Sequence, residues 1–344
     1  MNWYLQSNEN SDVVKSTRIR FIRNINGMNF ELNSQEKEEL KKRIKENLYA
    51  IGYNLRLLEL KDMDTITKNS LVEKNIISPK FLTEESQTGA ILINDDENIC
   101  IMIGGENHLS IQVFQSGLDL ENTLNLAIEI EEKIGEILGY SISKKYGYLT
   151  RSLNDIGTGL KASVMVELPA LAKTGNLRKI LDAIRDFNIN IDGEYGKLSK
   201  GTGYTYQISN KQTIGITEKE IINNMNVIAK SLIEQERQAR KILAKEGIEL
   251  EDTILRSYGI LTNCKKLSYE EAKELLTNVK MGVDLGILDK FTDSEIKKLD
   301  LYIKPANLQK YYGEEMDKIE QEIKRAELVR KWGRILGIFS YLID

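Results

Sequence analysis

Three short apolar segments that follow one another closely constrain the fold of this 344-residue chain more than any other feature. They are GAILIN at 89–94, ICIMIG at 99–104 and LSIQVF at 109–114. Residues 95–98 separate the first two segments, and residues 105–108 separate the last two. Because connections this short join antiparallel neighbours, the sequence predicts a three-stranded antiparallel meander.

Other extended segments indicate a larger amount of strand structure. Side chains alternate along a strand, so VVKSTRIRFI at 13–22 carries Arg18 and Arg20 on one face. Residues 163–168, SVMVEL, predict a buried strand, and residues 189–210 predict a strand, a glycine-rich loop and a second strand.

Helical patterns alternate with these strands in the first part of the chain. Asn33 can cap a helix, because Glu36 stands at the capping-box offset and apolar residues follow at helical spacing. A second, longer helix is expected from about Leu118 to Leu138.

The chain becomes almost wholly helical after Thr217. We therefore place a domain boundary near Gly247. Residues 1–247 are expected to form an α+β domain, with an antiparallel sheet flanked by helices, and residues 248–344 a C-terminal helical domain.

The charge and the apolar runs exclude several classes of partner. A net charge of −4, from 48 basic and 52 acidic residues, gives no general attraction to nucleic acid or to an anionic membrane. No uncharged apolar run approaches the roughly 20 residues that a membrane-spanning helix needs, and the first residues do not resemble a signal peptide. The expected location is the cytoplasm.

Few residues are available for metal or nucleophilic chemistry. Cys100 and Cys264 are the only cysteines and lie far apart, which excludes a disulfide framework and a paired-cysteine zinc site. His108 is the only histidine, which excludes a metal centre built from several imidazoles.

Two segments are candidates for phosphate binding. Arg18 and Arg20 present guanidinium groups that suit phosphate oxygens, although a solvated edge strand would carry the same pattern. The loop Gly157–Lys161 offers backbone amides, a hydroxyl and a cation, although glycine pairs also mark plain turns.

His108 lies close to Glu106 at one end of the meander, so an imidazole and a carboxylate are neighbours there. A structural hydrogen-bonding role for His108 is the alternative to a catalytic one.

Taken together, these segments resemble the catalytic domain of the ATP:guanidino phosphotransferases. STRIRFIRN at 16–24, GENHLSIQ at 105–112, IGTGLKASVMVELPAL at 156–171 and YQISNKQTIGITEKEI at 206–221 occur in that family's order and spacing. In the tail, LEDTILRSYGIL at 250–261 and neighbouring segments resemble the bacterial protein-arginine kinase branch of the family.

The resemblance implies transfer of the ATP γ-phosphoryl group to a guanidinium nitrogen, with Mg²⁺ carried by the nucleotide. In such enzymes arginines clamp the phosphates, and carboxylates orient the guanidinium and accept its proton. Glu106 matches a catalytic glutamate, and Arg18 and Arg20 match two clamp arginines. The positions that line the family's nucleotide site are Ser16, Thr17, Arg18, Ile19, Arg20, Asn75, Ser110, Lys161, Ala162, Ser163, Val164, Met165, Asp192, Gly193, Glu194, Tyr195, Gly196 and Lys197.

Several of these positions depart from the family pattern. Ser110, Lys161 and Asp192 stand where the family has arginines, and Asn75 stands where the branch usually has histidine. Lys197 stands at the position of the second catalytic glutamate, where its charge would repel a guanidinium by on the order of 1–4 kcal/mol at contact range. Glu194, three residues earlier, is the alternative source of that carboxylate.

The tail contains a degenerate version of the branch's phosphoarginine-pocket motif, QEIKRA at 321–326. Gln321 and Glu322 replace the opening arginine and aspartate of that motif, whereas Arg325 and Ala326 match it.

The resemblance leaves three functional hypotheses. The first is a kinase that phosphorylates exposed arginines of proteins. The second is a catalytically weak or inactive homologue that acts as an adaptor in protein quality control, for which Asp192 and Lys197 are the discriminating residues. The third is a small-guanidino kinase, which the missing N-terminal helical domain disfavours. Partners expected beside protein substrates are a quality-control protease or activator and a second copy of the chain, but not nucleic acid or membrane.

Overall fold

The computed structural model describes residues 2–194, 202–289 and 291–337. Its main feature is an eight-stranded sheet in the order β2-β3-β4-β5-β1-β8-β10-β9, with every pair of neighbours antiparallel. A separate pair, β6 and β7, forms a small hairpin. The strands are β1 Val14–Arg23, β2 Arg56–Glu59, β3 Ala90–Ile93, β4 Ile99–Ile103, β5 Leu109–Ser116, β6 Ile142–Ser143, β7 Gly147–Tyr148, β8 Leu160–Glu167, β9 Ile189–Gly193 and β10 Thr205–Asn210.

The predicted meander is confirmed as β3, β4 and β5, in which Ile91 pairs with Met102 and Met102 pairs with Ser110. Strand β1 lies between β5 and β8, in the interior of the sheet. The alternative interpretation of Arg18 and Arg20 as charges on an edge strand is therefore wrong.

Thirteen helices surround the sheet and continue beyond it in the described part of the chain. They are α1 Ser34–Glu46, α2 Leu48–Ile51, α3 Thr65–Glu73, α4 Pro79–Glu85, α5 Leu120–Leu138, α6 Pro169–Lys173, α7 Leu177–Arg185, α8 Glu218–Leu243, α9 Ile248–Asn263, α10 Tyr269–Asp284, α11 Asp293–Tyr302, α12 Pro305–Tyr312 and α13 Lys318–Gly337. None of the helices in the described ranges is long and apolar enough to cross a membrane.

Local sequence signals explain where several helices begin. Asn33 and Glu36 form the expected capping box, in which each side chain bonds the other residue's backbone amide. Thr217 and Glu220 do the same at the start of α8. Gly247 takes a φ of 60° between α8 and α9, a conformation that suits glycine and turns the chain into the helical tail.

The two faces of the sheet differ in polarity. On one face Ile19, Phe21 and Leu160 belong to the same buried cluster as the inner residues of α5 and α8. The opposite face carries Arg18 and Arg20 on β1, with Gln112, Lys161 and Ser163 among their neighbours on β5 and β8, and a second, smaller apolar cluster that includes Phe114. Alternation along β1 thus separates a core-facing side from a polar side that is available for a site.

Arg23 belongs to the core-facing side, unlike the other two arginines of β1. Its Nε donates to Glu131 Oε1 of α5 at 2.6 Å, and its guanidinium lies 3.4 Å from the centre of the Tyr148 ring. Nη1 also donates to the carbonyl of Thr158 at 3.0 Å. Arg23 is therefore a buried structural residue, which ties β1 to α5 and to the loop before β8.

Helices of the tail pack over the polar face, near the N-terminal end of β1 and the C-terminal end of β8. Lys273 of α10 donates to Glu167 of β8 at 3.1 Å and to Asp300 of α11 at 2.5 Å. Asp300 also pairs with Lys15 of β1. The side chains of Lys273 and Glu167 are almost fully buried, so the helical tail and the sheet share an internal, charged contact.

Candidate active site

A cluster of three cations lies on the polar face of the sheet. In the antiparallel register of β1 and β8, Arg20 is directly opposite Lys161. Burial, followed by repulsion from Arg20, lowers the pKa of Arg18 to about 9, and burial with repulsion from both arginines lowers the pKa of Lys161 to about 8. The Nε atoms of Arg18 and Arg20 are buried without a hydrogen-bond partner. Buried cations with unsatisfied donors favour an anionic ligand such as a phosphate chain.

Asp192 contributes a negative charge to this cluster. It lies on β9 opposite Gln207 of β10, and Arg18 Nη2 donates to Gln207 Oε1 at 3.1 Å. The negative charge of Asp192 raises the pKa of both Arg18 and Lys161, against the larger lowering by burial. In the free protein Asp192 is thus a counter-charge to cations that a nucleotide would otherwise neutralise.

One cavity beside the cluster contains many of the predicted nucleotide residues. Its sheet side is formed by Ser16, Arg18, Ser163, Met165 and Gln207, together with Asn75 from the connection between α3 and α4. Its opposite wall comes from the tail and includes Lys273, Thr277, Asp300 and Lys304. The tail therefore encloses the part of the site that the sheet leaves open.

Glu194 also lines this cavity, but its carboxylate is already paired. Oε1 accepts from Lys304 Nζ of the tail at 2.7 Å, and only 1% of the side chain is exposed. Burial would raise the pKa of Glu194, yet Lys304 and other lysines hold it below its ordinary value. In this arrangement Glu194 faces the tail and not Glu106.

A second cavity contains the predicted catalytic residue. Glu106 lies in the connection between β4 and β5, and its Oε2 accepts from Lys80 Nζ of α4 at 2.8 Å. Lys80 lowers the pKa of Glu106, with smaller contributions from Arg151 and Arg20. Arg20 and Ser110 line the same cavity. Arg20 thus connects the predicted catalytic residue with the cation cluster.

The remaining predicted nucleotide positions do not all face these cavities. Thr17, Ile19, Ala162 and Val164 are fully buried on the core-facing side of the sheet. Thr17 Oγ1 donates to the carbonyl of Gly117 at 2.6 Å, which is a structural role. Gly193 ends β9, and Tyr195, Gly196 and Lys197 lie outside the described residues.

His108 has a structural hydrogen-bonding role and not a catalytic one. Its Nδ1 accepts from the backbone amide of Ile25 at 2.9 Å, and Nε2 lies 2.7 Å from the carbonyl of Asn29. Both ring nitrogens are used, and the side chain is buried.

The glycine loop before β8 packs against protein groups. Thr158 donates from its amide and hydroxyl to the carbonyl of Thr213. A Cβ added at Gly159, where φ is +60°, would lie 2.5 Å from Arg23 Nη1. Of the candidate phosphate-binding groups in this loop, Lys161 is the one that reaches the cation cluster.

The degenerate phosphoarginine motif lies on α13, where its side chains bond the protein. Arg325 is buried and donates to the carbonyls of Ile303 at 2.6 Å and Leu267 at 2.9 Å. Glu322 pairs with Lys266, Gln321 donates to the carbonyl of Met316, and Ala326 is fully buried. Arg325 therefore holds the helices of the tail together.

Sequence reasoning missed four charged side chains of the second cavity, which are Lys80, Glu84, Glu85 and Asp155. Lys80 follows Pro79 in the first turn of α4, far along the chain from Glu106, and no motif signals that contact. Asp155 lies two positions before Gly157, the first residue of the glycine loop, so its place beside a recognised segment is a usable signal.

Two family models match the chain. Residues 36–239 match the model described as ATP:guanido phosphotransferase, C-terminal catalytic domain. Residues 247–334 match the model described as protein-arginine kinase McsB C-terminal domain.

Relatives and solved structures agree with these matches. A protein-arginine kinase from Halothermothrix orenii is 41% identical over 333 residues, which cover 96% of this chain and 95% of the relative. One from Listeria welshimeri is 37% identical over 338 residues, or 98% of this chain and 97% of the relative.

Two solved structures are similar in fold. The structure of a lombricine kinase has a TM-score of 0.56 at 23% identity and covers 69% of each chain. The duplicated taurocyamine kinase from Schistosoma mansoni has a TM-score of 0.57 at 24% identity, and the match covers 67% of this chain and 34% of that one. By its catalytic-domain match and its relatives, the chain belongs to the ATP:guanido phosphotransferase family.

Proposed function

We propose that this chain is an ATP-dependent protein-arginine kinase, which transfers the γ-phosphoryl group of ATP to arginine side chains of proteins. The relatives that match nearly its whole length carry that name. The observation that carries the proposal is the adjacency of the cation cluster to Glu106 through Arg20. Such an arrangement holds polyphosphate on one side and a guanidinium on the other.

The residues fit a nucleotide that brings its own Mg²⁺. The unpartnered Nε donors of Arg18 and Arg20 suit phosphate oxygens, and Lys161 adds a third positive charge. The metal would neutralise the charge that develops on the phosphates. Glu106 would accept the proton that the guanidinium loses as its nitrogen attacks.

A second candidate is a catalytically weak homologue that acts as an adaptor in protein quality control. Asp192 favours it, because this carboxylate competes with ATP phosphates for Arg18 and Lys161. Under either candidate we propose a cytoplasmic protein with arginine-bearing protein partners. A quality-control protease or activator and a second copy of the chain are further proposed partners.

Incubation with labelled ATP, Mg²⁺ and an arginine-rich protein separates the two candidates. A protein-arginine kinase should give acid-labile, base-stable phosphate on the protein. Glu106→Gln should abolish the labelling, whereas Glu46→Gln, on the exposed surface of α1, should leave it unchanged. A Glu106→Gln variant that keeps the wild-type rate would show that the guanidinium binds elsewhere.

A further inference from the structure

We propose that Asp155 is the second carboxylate of the guanidinium site, in the role for which Lys197 has the wrong charge. The inference rests on the proposed function and names a substrate-contacting residue of that same site. It assigns to the cavity of Glu106 and Asp155 a guanidinium group held between two carboxylates.

The cavity has the composition and size of a small cation site. Its charged lining comprises the carboxylates Glu84, Glu85, Glu106 and Asp155 and only two cations, Arg20 and Lys80. Its volume is about 140 Å³. One water needs roughly 10–15 Å³ of such volume, so a planar guanidinium group fits inside.

An unpaired hydroxyl supplies evidence independent of the acidic groups. Ser110 lines the cavity, is only 9% exposed, and its Oγ has no hydrogen-bond partner. A buried polar atom without a partner is destabilising, so such groups normally have a hydrogen-bond partner. An N–H of a bound guanidinium would satisfy this oxygen.

Asp155 and Glu106 both affect the pKa of the same side chain, Arg20. Burial lowers the pKa of Arg20, and Asp155, followed by Glu106, opposes that lowering. Asp155 also opposes the lowering of the pKa of Lys161. Asp155 therefore stands close to the boundary between the phosphate cluster and the guanidinium cavity, which is where transfer must occur.

The loop around Asp155 is anchored on both sides. Thr213 Oγ1 lies 3.0 Å from the carbonyl of Asn154 and 2.8 Å from the carbonyl of Ile156. The amide of Asp155 also donates to the carbonyl of Ser152 at 3.1 Å. These contacts fix the backbone, so the half-buried carboxylate is held at the cavity without a rearrangement.

Lys80 marks the place that a substrate cation would take. Its ammonium bonds Glu106, yet 60% of the Lys80 side chain is exposed, so the pair is easily exchanged. An arginine side chain entering from solvent would displace Lys80 and bond Glu106 through one edge. Asp155 would then accept from the neighbouring edge of the same guanidinium.

The chemical step balances with these groups. A bond forms between the guanidinium nitrogen and the γ-phosphorus of ATP as the bond from that phosphorus to the bridging oxygen breaks. ADP leaves with the electron pair of the broken bond, and Glu106 takes the proton that the nitrogen loses. Asp155 holds the adjacent nitrogen and keeps the attacking lone pair aligned with the phosphorus.

The test compares Asp155→Asn and Asp155→Glu with Asp186→Asn, an exposed control at the end of α7. Asp155→Asn should lower kcat for arginine phosphorylation by about a hundredfold or more, because the attacking nitrogen is no longer held in line with the phosphorus. Its Kd for ATP, measured by calorimetry, should be unchanged or tighter, because a negative charge beside the phosphates has been removed. Asp155→Glu should recover part of the rate, and Asp186→Asn should match the wild type.

Retention of the rate by Asp155→Asn within about threefold would overturn the inference. So would a loss of ATP affinity as large as the loss of rate, because that pattern indicates a damaged loop. A wild type that gives no phosphoarginine would refute the proposed function by itself. In that case the Kd of an arginine-rich protein for the ADP complex decides, because Asp155→Asn should weaken it at least tenfold, and an unchanged Kd overturns the inference.

Discussion

The buried contact between the helical tail and the sheet provides the sharpest test of how this protein is stabilised. We consider Lys273→Met, which keeps the length of the side chain and removes its charge. Lys273 bonds both Glu167 and Asp300, so the substitution removes a cation that two largely buried carboxylates share. Removing one partner of a buried pair typically costs about 3–5 kcal/mol of unfolding free energy.

The neighbouring lysines determine how much unfolding free energy the Lys273→Met substitution should remove. Lys280 lies 4.0 Å from Glu167, and Lys15 pairs with Asp300, so neither carboxylate is left without a cation. We therefore expect a loss near 3 kcal/mol, at the lower end of the range. With a urea dependence of about 3 kcal/mol per molar, the unfolding midpoint should fall by about 1 M.

Urea unfolding followed by circular dichroism measures this change. Lys42→Met, which removes an exposed ion pair on α1, is the matched control and should change the free energy by less than about 1 kcal/mol. A Lys273→Met variant as stable as the control variant would show that the buried network adds nothing to the folded state.

The pH dependence gives a second readout of the same contact. Burial would raise the pKa of Glu167, but Lys273 and other lysines lower it from 4.5 to about 2. A carboxylate with a lowered folded pKa contributes stability that is present above its unfolded pKa and is lost as the pH falls toward the folded value. The difference in stability between wild type and Lys273→Met should therefore shrink between about pH 4.5 and pH 2.

Three further predictions concern the nucleotide site and the domain boundary. ATP should bind at least a hundredfold more weakly than at a site with a full arginine clamp, because two charged hydrogen-bond partners at about 1.5–3 kcal/mol each are absent at Ser110 and Asp192. Micromolar or tighter ATP binding in calorimetry would contradict this accounting. The affinity should also fall as the pH rises through about 8, the pKa of Lys161, and an affinity that does not change with pH would contradict a phosphate-binding role of Lys161. Asp192→Arg combined with Lys197→Glu restores the family pattern and should raise the rate of arginine phosphorylation. A lower rate would mean that these two residues do not take the places of the family's arginine and second catalytic glutamate. Limited proteolysis should cut near Gly247, between the proposed domains 1–247 and 248–344, and cleavage mainly within residues 89–114 would count against that division.

Much of the fold could be predicted from the sequence, because its signals are local. The meander follows from short apolar runs and short connections, and the helix starts follow from capping residues such as Asn33 and Thr217. The place of β1 in the sheet could not be predicted in the same way. Its neighbours β5 and β8 come from distant parts of the chain, and alternation fixes the face of a side chain but not the strand beside it.

The candidate site could be predicted where a motif carries it and not where tertiary packing builds it. Arg18, Arg20 and Glu106 belong to recognisable segments, and the structure brings Arg20 and Glu106 to one cavity. The partner of Glu106 is Lys80, in the first turn of α4, and the partner of Glu194 is Lys304, the residue before α12. No motif in the sequence signals either contact. Long-range ion pairs of this kind depend on how helices pack, which no local pattern encodes.

The departures from the family pattern change the balance of charge on two sides of the cation cluster. Ser110 replaces an arginine and leaves a small, unpaired hydroxyl beside Arg20, which opens room at the cavity that Asp155 and Glu106 line. Asp192 supplies a counter-charge to Arg18 and Lys161 on the other side of the cluster. Relative to the family pattern the site has thus lost cationic groups for phosphate, and it has carboxylates at both of its ends. Such a balance weakens binding of the nucleotide alone and favours a cationic second substrate, so a bound guanidinium should strengthen ATP binding by offsetting Asp155 and Glu106.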